Sequence, residues 1–462
     1  MNNDWIPDPM APLESNLVKA RAAIIWILAL LLAFAAVWWI ESQSGKVLIA
    51  KPSASSALVP PVPEAPVLVP SSGIPATPAP RALSTQELAW ARTAWAYFEK
   101  NVDTNTGLAA SVAGFPATTL WDSGSYLMAL LAASDLGLVE PPSFDDRLAK
   151  ALQSLGNLPL YAGQLPNKSY DIRSLTMTDY ANLPSEAGIG WSALDIGRLV
   201  VPLQVIAWQY PKHTDAARAV LARWNTRSLA EGGRLQGMLA AVNGQPAKLV
   251  QEGRLGYEQY AARALAPLGL DIALALDYRG QLRLQEVEGI ALAVDKRDAA
   301  RFGAIDAVLS EPWILMGLEL GWDAQSREIA WRVYQAQEAN FRRTGILSAV
   351  TEDHVDRPPY FVYNAVYAAG KPWMTLSDKG VDAQALRTLS VKAAFGWHAL
   401  LRTDYTSKLV EAVAPLQDPA QGWWAGRYDE GNAPNKALSA NTNAVVLESL
   451  AYITRGRLLQ LK

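Results

Sequence analysis

The chain contains no cysteine. A thiol nucleophile, disulfide staples and thiolate metal sites are therefore excluded. Histidine is nearly as scarce: His213, His354 and His398 are far apart in sequence and none sits in a paired-ligand spacing. Neither a metal nor a cofactor is expected. Charged residues make up only 18%, the formal net charge is −3, and no long basic run occurs, so nothing points to a nucleic-acid surface. Phenylalanine is outnumbered, 8 against 17 Trp and 16 Tyr. Such rings serve a core and the faces of sugars equally well, and their polar edges need partners.

One long apolar run is present, AAIIWILALLLAFAAVWWI at 22–40. As a helix it spans about 28 Å, enough for a bilayer core. Lys19 and Arg21 precede it, Glu41 follows it, and Trp38 and Trp39 stand where an aromatic belt belongs. The positive-inside rule makes 1–21 a cytoplasmic tail and 22–40 a single inner-membrane helix, with the remainder in the periplasm. The run is longer than a signal-peptide core and no clean small-x-small site follows it, which favours an uncleaved anchor. Residues 41–82, dense in Pro, Ala, Ser and Val, read as an extended spacer. The folded domain is 83–462.

From Ser84 on, helical periods alternate with polar, aromatic loops. Ser84-Thr85-Gln86-Glu87 reads as a capping box. Helices are expected at 121–136, from a cap at Ser143, at 191–210 with a kink or break at Pro202, and at 213–224. Further helices follow at 257–268, 311–320, 323–342, 389–403, 407–416 and 439–452, with one partner near 299–309 uncertain. Alternation at Leu282, Leu284, Val287 and Ile290 suggests an inserted strand pair. Alternate helices are apolar all round. That predicts an all-α fold, an (α/α)6 toroid of helical hairpins with a small β insertion, in which an outer ring covers the inner one. An open helical solenoid is the other architecture, disfavoured by the irregular repeat.

In such a ring the inner helices are parallel and their N-termini meet in one cup. The chain gathers polar residues at those starts: Thr119-Leu120-Trp121-Asp122, Ser185-Glu186, Gly190-Trp191, Arg254-Leu255-Gly256-Tyr257-Glu258, Ser310-Glu311-Pro312-Trp313, Glu352-Asp353, Trp423-Trp424 with Arg427, and Asn441-Thr442-Asn443. Glycoside hydrolysis needs two carboxyl groups, one protonated for the leaving oxygen and one ionised to activate water. Asp122, Glu311 and Glu352 are the candidate catalytic acids, with Glu186 and Glu258 in reserve. Trp121, Trp191, Tyr257, Trp313, Tyr360, Trp423 and Trp424 are candidate stacking surfaces. Arg254, Asp353, Arg427, Asn441 and Asn443 are candidate hydroxyl binders. Each acid taken singly is equally a helix cap, and the repetition is what raises the functional reading. Terpene cyclases also use α/α barrels, but Asp145-Asp146-Arg147 lacks their Asp-rich spacing.

The blocks Thr119–Tyr126, Leu165–Tyr170, Gly190–Leu199, Glu252–Tyr260, Ser310–Pro312, Pro359–Asn364 and Ala440–Asn443 resemble, in order, the bacterial family called domain of unknown function 3131, over about 83–459. That family is similar to the six-hairpin glycosidases. The resemblance implies an (α/α)6 barrel and sugar chemistry, but carries over no catalytic residue. The sequence thus leads to a membrane-anchored, periplasm-facing glycoside hydrolase, of inverting type, on a β-glucan or exopolysaccharide. The alternative is a non-catalytic polysaccharide-binding or export-scaffold protein working with synthesis or export machinery.

Overall fold

The computed structural model describes residues 68–241, 244–297 and 305–460. Eleven helices organise them: α1 (Thr85–Asn101), α2 (Leu120–Asp135), α3 (Pro141–Asn157), α4 (Ala193–Gln209), α5 (Thr214–Ala222), α6 (Tyr257–Leu265), α7 (Glu311–Leu315, continued as a π-turn Met316–Leu320), α8 (Ala324–Thr344), α9 (Val391–Leu401), α10 (Asp404–Val413) and α11 (Ala440–Arg455). The even-handed apolar helices α2, α4, α6, α7, α9 and α11 pack side by side in that order, and α11 closes back onto α2. They form an inner ring of six, with α1, α3, α5, α8 and α10 as outer partners. Between α6 and α7 the outer helix is replaced by a one-turn helix (Ala273–Leu276) and an antiparallel hairpin pairing Leu282–Val287 with Ile290–Asp295. The hairpin packs on α8 where a sixth outer helix would lie. The fold is thus an (α/α)6 barrel with the β insertion the alternation predicts.

Glycines set how closely the inner helices approach. A Cβ on Gly124 of α2 would meet the Arg198 backbone of α4 at 3.0 Å, and one on Gly197 would meet the Ala261 Cβ of α6 at 2.8 Å. Glycine inside a helix costs about 0.5–1 kcal/mol in propensity, and here the close contact offsets it. Four side chains seal the axis below the ring's polar end. Arg198 of α4 donates to Glu448 of α11 at 2.7 Å and is ion-paired with Glu319 of α7. Tyr260 of α6 donates to Glu319 at 2.7 Å. Both Glu319 and Glu448 are fully buried.

Several local expectations change. Helix α3 starts at Pro141 rather than after Ser143, and its N-cap Glu140 makes no side-chain cap. Proline in the first turn has no N–H that needs one. Pro202 neither breaks nor ends α4, which runs through it to Gln209. Helix α10 starts at Asp404 because Thr403 accepts the Thr406 N–H, three residues before the expected start. Of the uncertain partner at 299–309, residues 305–309 form no helix, Val308 bridging to Tyr367, and 298–304 lie outside the described residues.

The end of the Pro-rich segment is part of the folded unit. Ser71 donates twice to Glu328 of α8, at 2.9 and 2.7 Å, and Arg332 and Arg327 donate to the Val69 and Pro75 carbonyls at 2.6 Å each. Arg81 forms a two-pronged pair with Glu87 at 2.7 and 2.6 Å. Residues 68–82 therefore strap the barrel instead of spacing it. The anchor expected at 22–40 lies outside the described residues. Among the described residues no helix is long and apolar enough to cross a membrane.

Candidate active site

Parallel inner helices bring their first turns together. Thr119 caps α2 by accepting the Asp122 N–H, and Ser192 caps α4 by accepting the Asp195 N–H. The cap hydroxyl takes over the work of answering the helix end, which frees each third-position carboxyl for other partners. Helix α7 contributes Glu311, α9 contributes Lys392 and α11 contributes Asn441, each in the first turn. The strand Glu352–His354, paired antiparallel with Phe361–Asn364, lays a further acidic edge beside them.

Lys392 is the hub of one half. Its buried ammonium is ion-paired with Glu311 and stands 3.9 Å from Asp353 Oδ1. Asn441 donates to the other Glu311 oxygen at 2.8 Å. Thr351 accepts the Glu311 N–H at 3.1 Å and donates its own hydroxyl to Glu352 at 2.7 Å. Burial pushes the Glu352 carboxyl up to about 7, against the pull of Lys392. Burial likewise raises Asp353 well above the carboxylate range and raises Asp122, which Lys392 and hydrogen bonds from Ser111 and Thr119 oppose. Burial alone would lower Lys392, but Glu311, Glu352 and Asp353 outweigh it and hold the ammonium charged.

The other half is built around Asp195. Glu252 accepts the Ala193 N–H of α4 at 2.5 Å, so it stands against the same helix start. Burial raises Asp195 to about 7, and the Glu252 charge adds to it, while Lys168 and Ser192 oppose. Asp195 and Glu252 are half-buried, so a ligand can reach them. Tyr363 spans the two halves. It faces Glu352 across the strand pair. Burial, then Glu352, then Asp195 push its hydroxyl up to about 12.

The candidates named from sequence divide accordingly. Asp122, Glu311, Glu352, Asp353 and Asn441 come together around Lys392. Trp121 and Tyr257 are half-buried neighbours, their ring centroids 5.4 Å apart edge to face. Tyr360 and Glu186 are exposed in loops, Arg427 is half-buried on a strand, and Lys436 lies 5.2 Å over the half-buried Trp424. Several expectations need correction. Trp313 is 2% exposed and stacks on Tyr278, so no sugar reaches its face. Trp423 is enclosed by Phe395 and Trp90, and Trp191 is buried with its indole N–H on the Gln236 carbonyl. Asn443 is consumed in accepting the Trp423 N–H and donating to the Ser439 carbonyl. Glu258 is likewise fully buried and paired with Arg297 at 2.7 Å, and Arg254, also buried, donates from Nη1 to Gln251 at 2.9 Å and to the Gly253 carbonyl at 2.6 Å.

Asp195, Glu252, Lys168, Lys392 and Tyr363 were not among the candidates. One signal for Asp195 was available: Ser192-x-x-Asp195 repeats the spacing of Thr119-x-x-Asp122. Lys392 also left a trace, as the lone charge in the apolar segment Val391–Leu401.

The (α/α)6 barrel is shared by solved structures. A glucoamylase-like protein of Bacteroides caccae superposes with a TM-score of 0.58 at 13% identity, covering 81% of this chain and 94% of its own. The endo-β-1,2-glucanase of Chitinophaga pinensis, solved with sophorotriose and glucose, gives 0.56 at 12%, covering 82% and 94%. That of Talaromyces funiculosus, solved with sophorose, gives 0.56 at 12%, covering 81% and 84%. At such identities the likeness is one of fold. No curated protein matches the chain by sequence. The chain belongs to the family described as protein of unknown function (DUF3131), which matches residues 89–456.

Proposed function

We propose that the protein is a glycoside hydrolase acting on a β-glucan, with Asp195 as general acid and Glu352 as general base. The observation that carries this is a pair of carboxyls at the polar end of the inner ring, each raised to about 7 and both acting on Tyr363, which pairs with Glu352 across the strands. Near neutral pH such groups exchange protons readily, which is what acid and base catalysis require. The neighbouring Glu252 charge favours the protonated form of Asp195. Lys392 and the Thr351 hydroxyl favour the ionised form of Glu352. Inversion calls for a base and an acid standing roughly 6.5–9.5 Å apart, with a water between the base and the sugar. Glu311 is bound to Lys392 and Asn441, so its part is to hold the ammonium in place. The β-1,2-glucanases of the same fold make a β-glucan the first substrate to try.

The apolar run 22–40 supports placing the enzyme on the periplasmic side of the inner membrane, where it meets polysaccharide in synthesis or export. The test is digestion of a panel of β-glucans and exopolysaccharides, with the anomer of the first product read by NMR. Cleavage with inverted configuration is expected. Binding without cleavage of any polymer would instead establish the non-catalytic polysaccharide-binding role.

A further inference from the structure

Resting on that reading, one face of the ribbon that carries Glu352 has most left to explain. The strands Glu352–His354 and Phe361–Asn364 run antiparallel, with Glu352 opposite Tyr363 and His354 opposite Phe361. Residues directly opposite share a face, and alternate residues point the other way. One face therefore carries Glu352, Tyr363, His354 and Phe361, and the other carries Asp353 and Val362. The second face is closed: Asp353 is 1% exposed, and the buried Val362 packs against Val355 and Tyr428. On the first face Tyr363, Phe361 and His354 are all half-buried. Their rings follow in series, Phe361 standing 5.4 Å from Tyr363 and 5.2 Å from His354, each edge to face. Both ends of the ribbon are fixed. At the near end Thr351 accepts the Glu311 N–H of α7 at 3.1 Å and donates to Glu352 at 2.7 Å. At the far end Asn435 donates to the His354 carbonyl at 2.7 Å and accepts the Asp356 N–H at 3.1 Å, and Tyr428 donates its hydroxyl to Asp356 at 2.6 Å.

We propose that Phe361 and His354 form a subsite for the sugar that precedes the reacting one on its non-reducing side. Same-face residues of a strand recur every second position, about 6.6–6.8 Å apart, so this rung lies one ring-width from the rung of Glu352 and Tyr363. The general acid stands beside the departing sugar, so a subsite on the ribbon of the base falls to the part of the chain that is retained. The half-buried Phe361 ring offers apolar surface to the C–H face of a pyranose. Burial, with Lys392 adding to it, lowers the His354 ring to about 4, so it is neutral near pH 7. A neutral imidazole carries one N–H donor and one acceptor nitrogen, which suits a sugar hydroxyl. Rings already ordered by their strands lose little conformational freedom on binding. The substrate is then a glucan chain long enough to cover both rungs.

The experiment compares wild type with Phe361→Ala, Phe361→Leu and Phe361→Tyr on β-1,2-linked glucose oligosaccharides from the disaccharide upward, each fold being checked by circular dichroism. Phe361→Ala and Phe361→Leu are each expected to lose about tenfold in kcat/KM on the longer chains, the scale of one lost aromatic contact. The loss should fall away on the disaccharide, which cannot fill the subsite and the leaving-group position together. Phe361→Tyr keeps the ring and should recover most of the loss. Leucine preserves the apolar packing of the ribbon, so full activity in Phe361→Leu would assign the ring a packing role and overturn the subsite. No loss in Phe361→Ala, a loss equal at every length, or a Tyr variant as poor as Ala overturns it too. If wild type cuts no chain, the hydrolase reading itself fails. Calorimetric binding of the same oligosaccharides then tests the subsite alone: weaker binding by Phe361→Ala upholds it, and unchanged affinity, or no binding by wild type, rejects it.

Discussion

Below the cup, Arg198 answers Glu319 and Glu448, with Tyr260 closing the set; in the cup, Lys392 stands among Asp122, Glu311, Glu352 and Asp353. Both clusters hold more carboxyls than cations, and both are buried. They differ in access and in partners. The lower set joins α4, α6, α7 and α11 through mutual bonds and is sealed from solvent, with the Trp121 ring 5.9 Å from the Arg198 guanidinium. Burial raises Glu448 well above the carboxylate range, against the pull of Arg198. The upper set spends its cation on one acid, Glu311, and leaves Glu352 with a threonine hydroxyl, while Asp195 at the start of α4 is half-buried. The same chemistry therefore makes a structural lock in one place and, in the function proposed above, a proton-exchanging pair in the other. What separates them is how many charges are matched.

Breaking the lock gives the largest effect. Arg198→Met strands two buried glutamates and is expected to cost about 3–5 kcal/mol in urea unfolding. Adding Glu319→Gln and Glu448→Gln to it should recover most of that loss. If Arg198→Met alone were neutral, the lower cluster would not be a lock.

Lys392→Met tests the cup without dismantling the barrel's axis. Lys392 opposes the upward shift of Glu352, so its removal raises that carboxyl further. The acidic limb of the kcat/KM profile should move to higher pH, and a limb that stays in place would separate Lys392 from the base.

A pH effect on stability sharpens the contrast further. Asp195 and Glu352 have folded-state values raised to about 7, above unfolded values near about 4. A raised carboxyl binds its proton more tightly when folded. Its contribution is full below the unfolded value and is lost as pH rises through the folded one. Between about pH 4 and 7 wild type should therefore lose stability relative to Asp195→Asn/Glu352→Gln. Parallel stability curves would show that the two acids are not buried at this cost.

The smallest effect belongs to the strap. Deleting 68–82 removes the Ser71–Glu328 and Arg332–Val69 bonds and should lower Tm by several degrees, about 1–2 kcal/mol, with kcat unchanged.

The barrel was legible in the sequence because inner helices buried on every side are apolar all round, and because the strand pair at Leu282–Asp295 changes the period from 3.6 to 2. The cup was legible as a gathering of helix starts. Its internal pairing was not. Lys392 reaches Glu311 from 81 residues away, and each alone reads as an ordinary first-turn charge. Trp313 and Trp423 misled for a related reason. An indole in a polar stretch at a helix or strand start turns its face inward as easily as outward, and here Tyr278 and Phe395 lie against those rings. Asp195 was masked by its own cap, since an acid three residues after a serine is explained by the helix end alone.

The central claim is that Asp195 and Glu352, and not Glu311, carry the chemistry. The direct measurement is reducing-sugar release from linear β-1,2-glucan by Asp195→Asn, Glu352→Gln and Glu311→Gln beside wild type, with each fold checked by circular dichroism. The account predicts losses of about 10²–10⁴-fold for the first two and a much smaller loss for Glu311→Gln. Near-wild-type release by Asp195→Asn or Glu352→Gln, or total loss with Glu311→Gln alone, contradicts it.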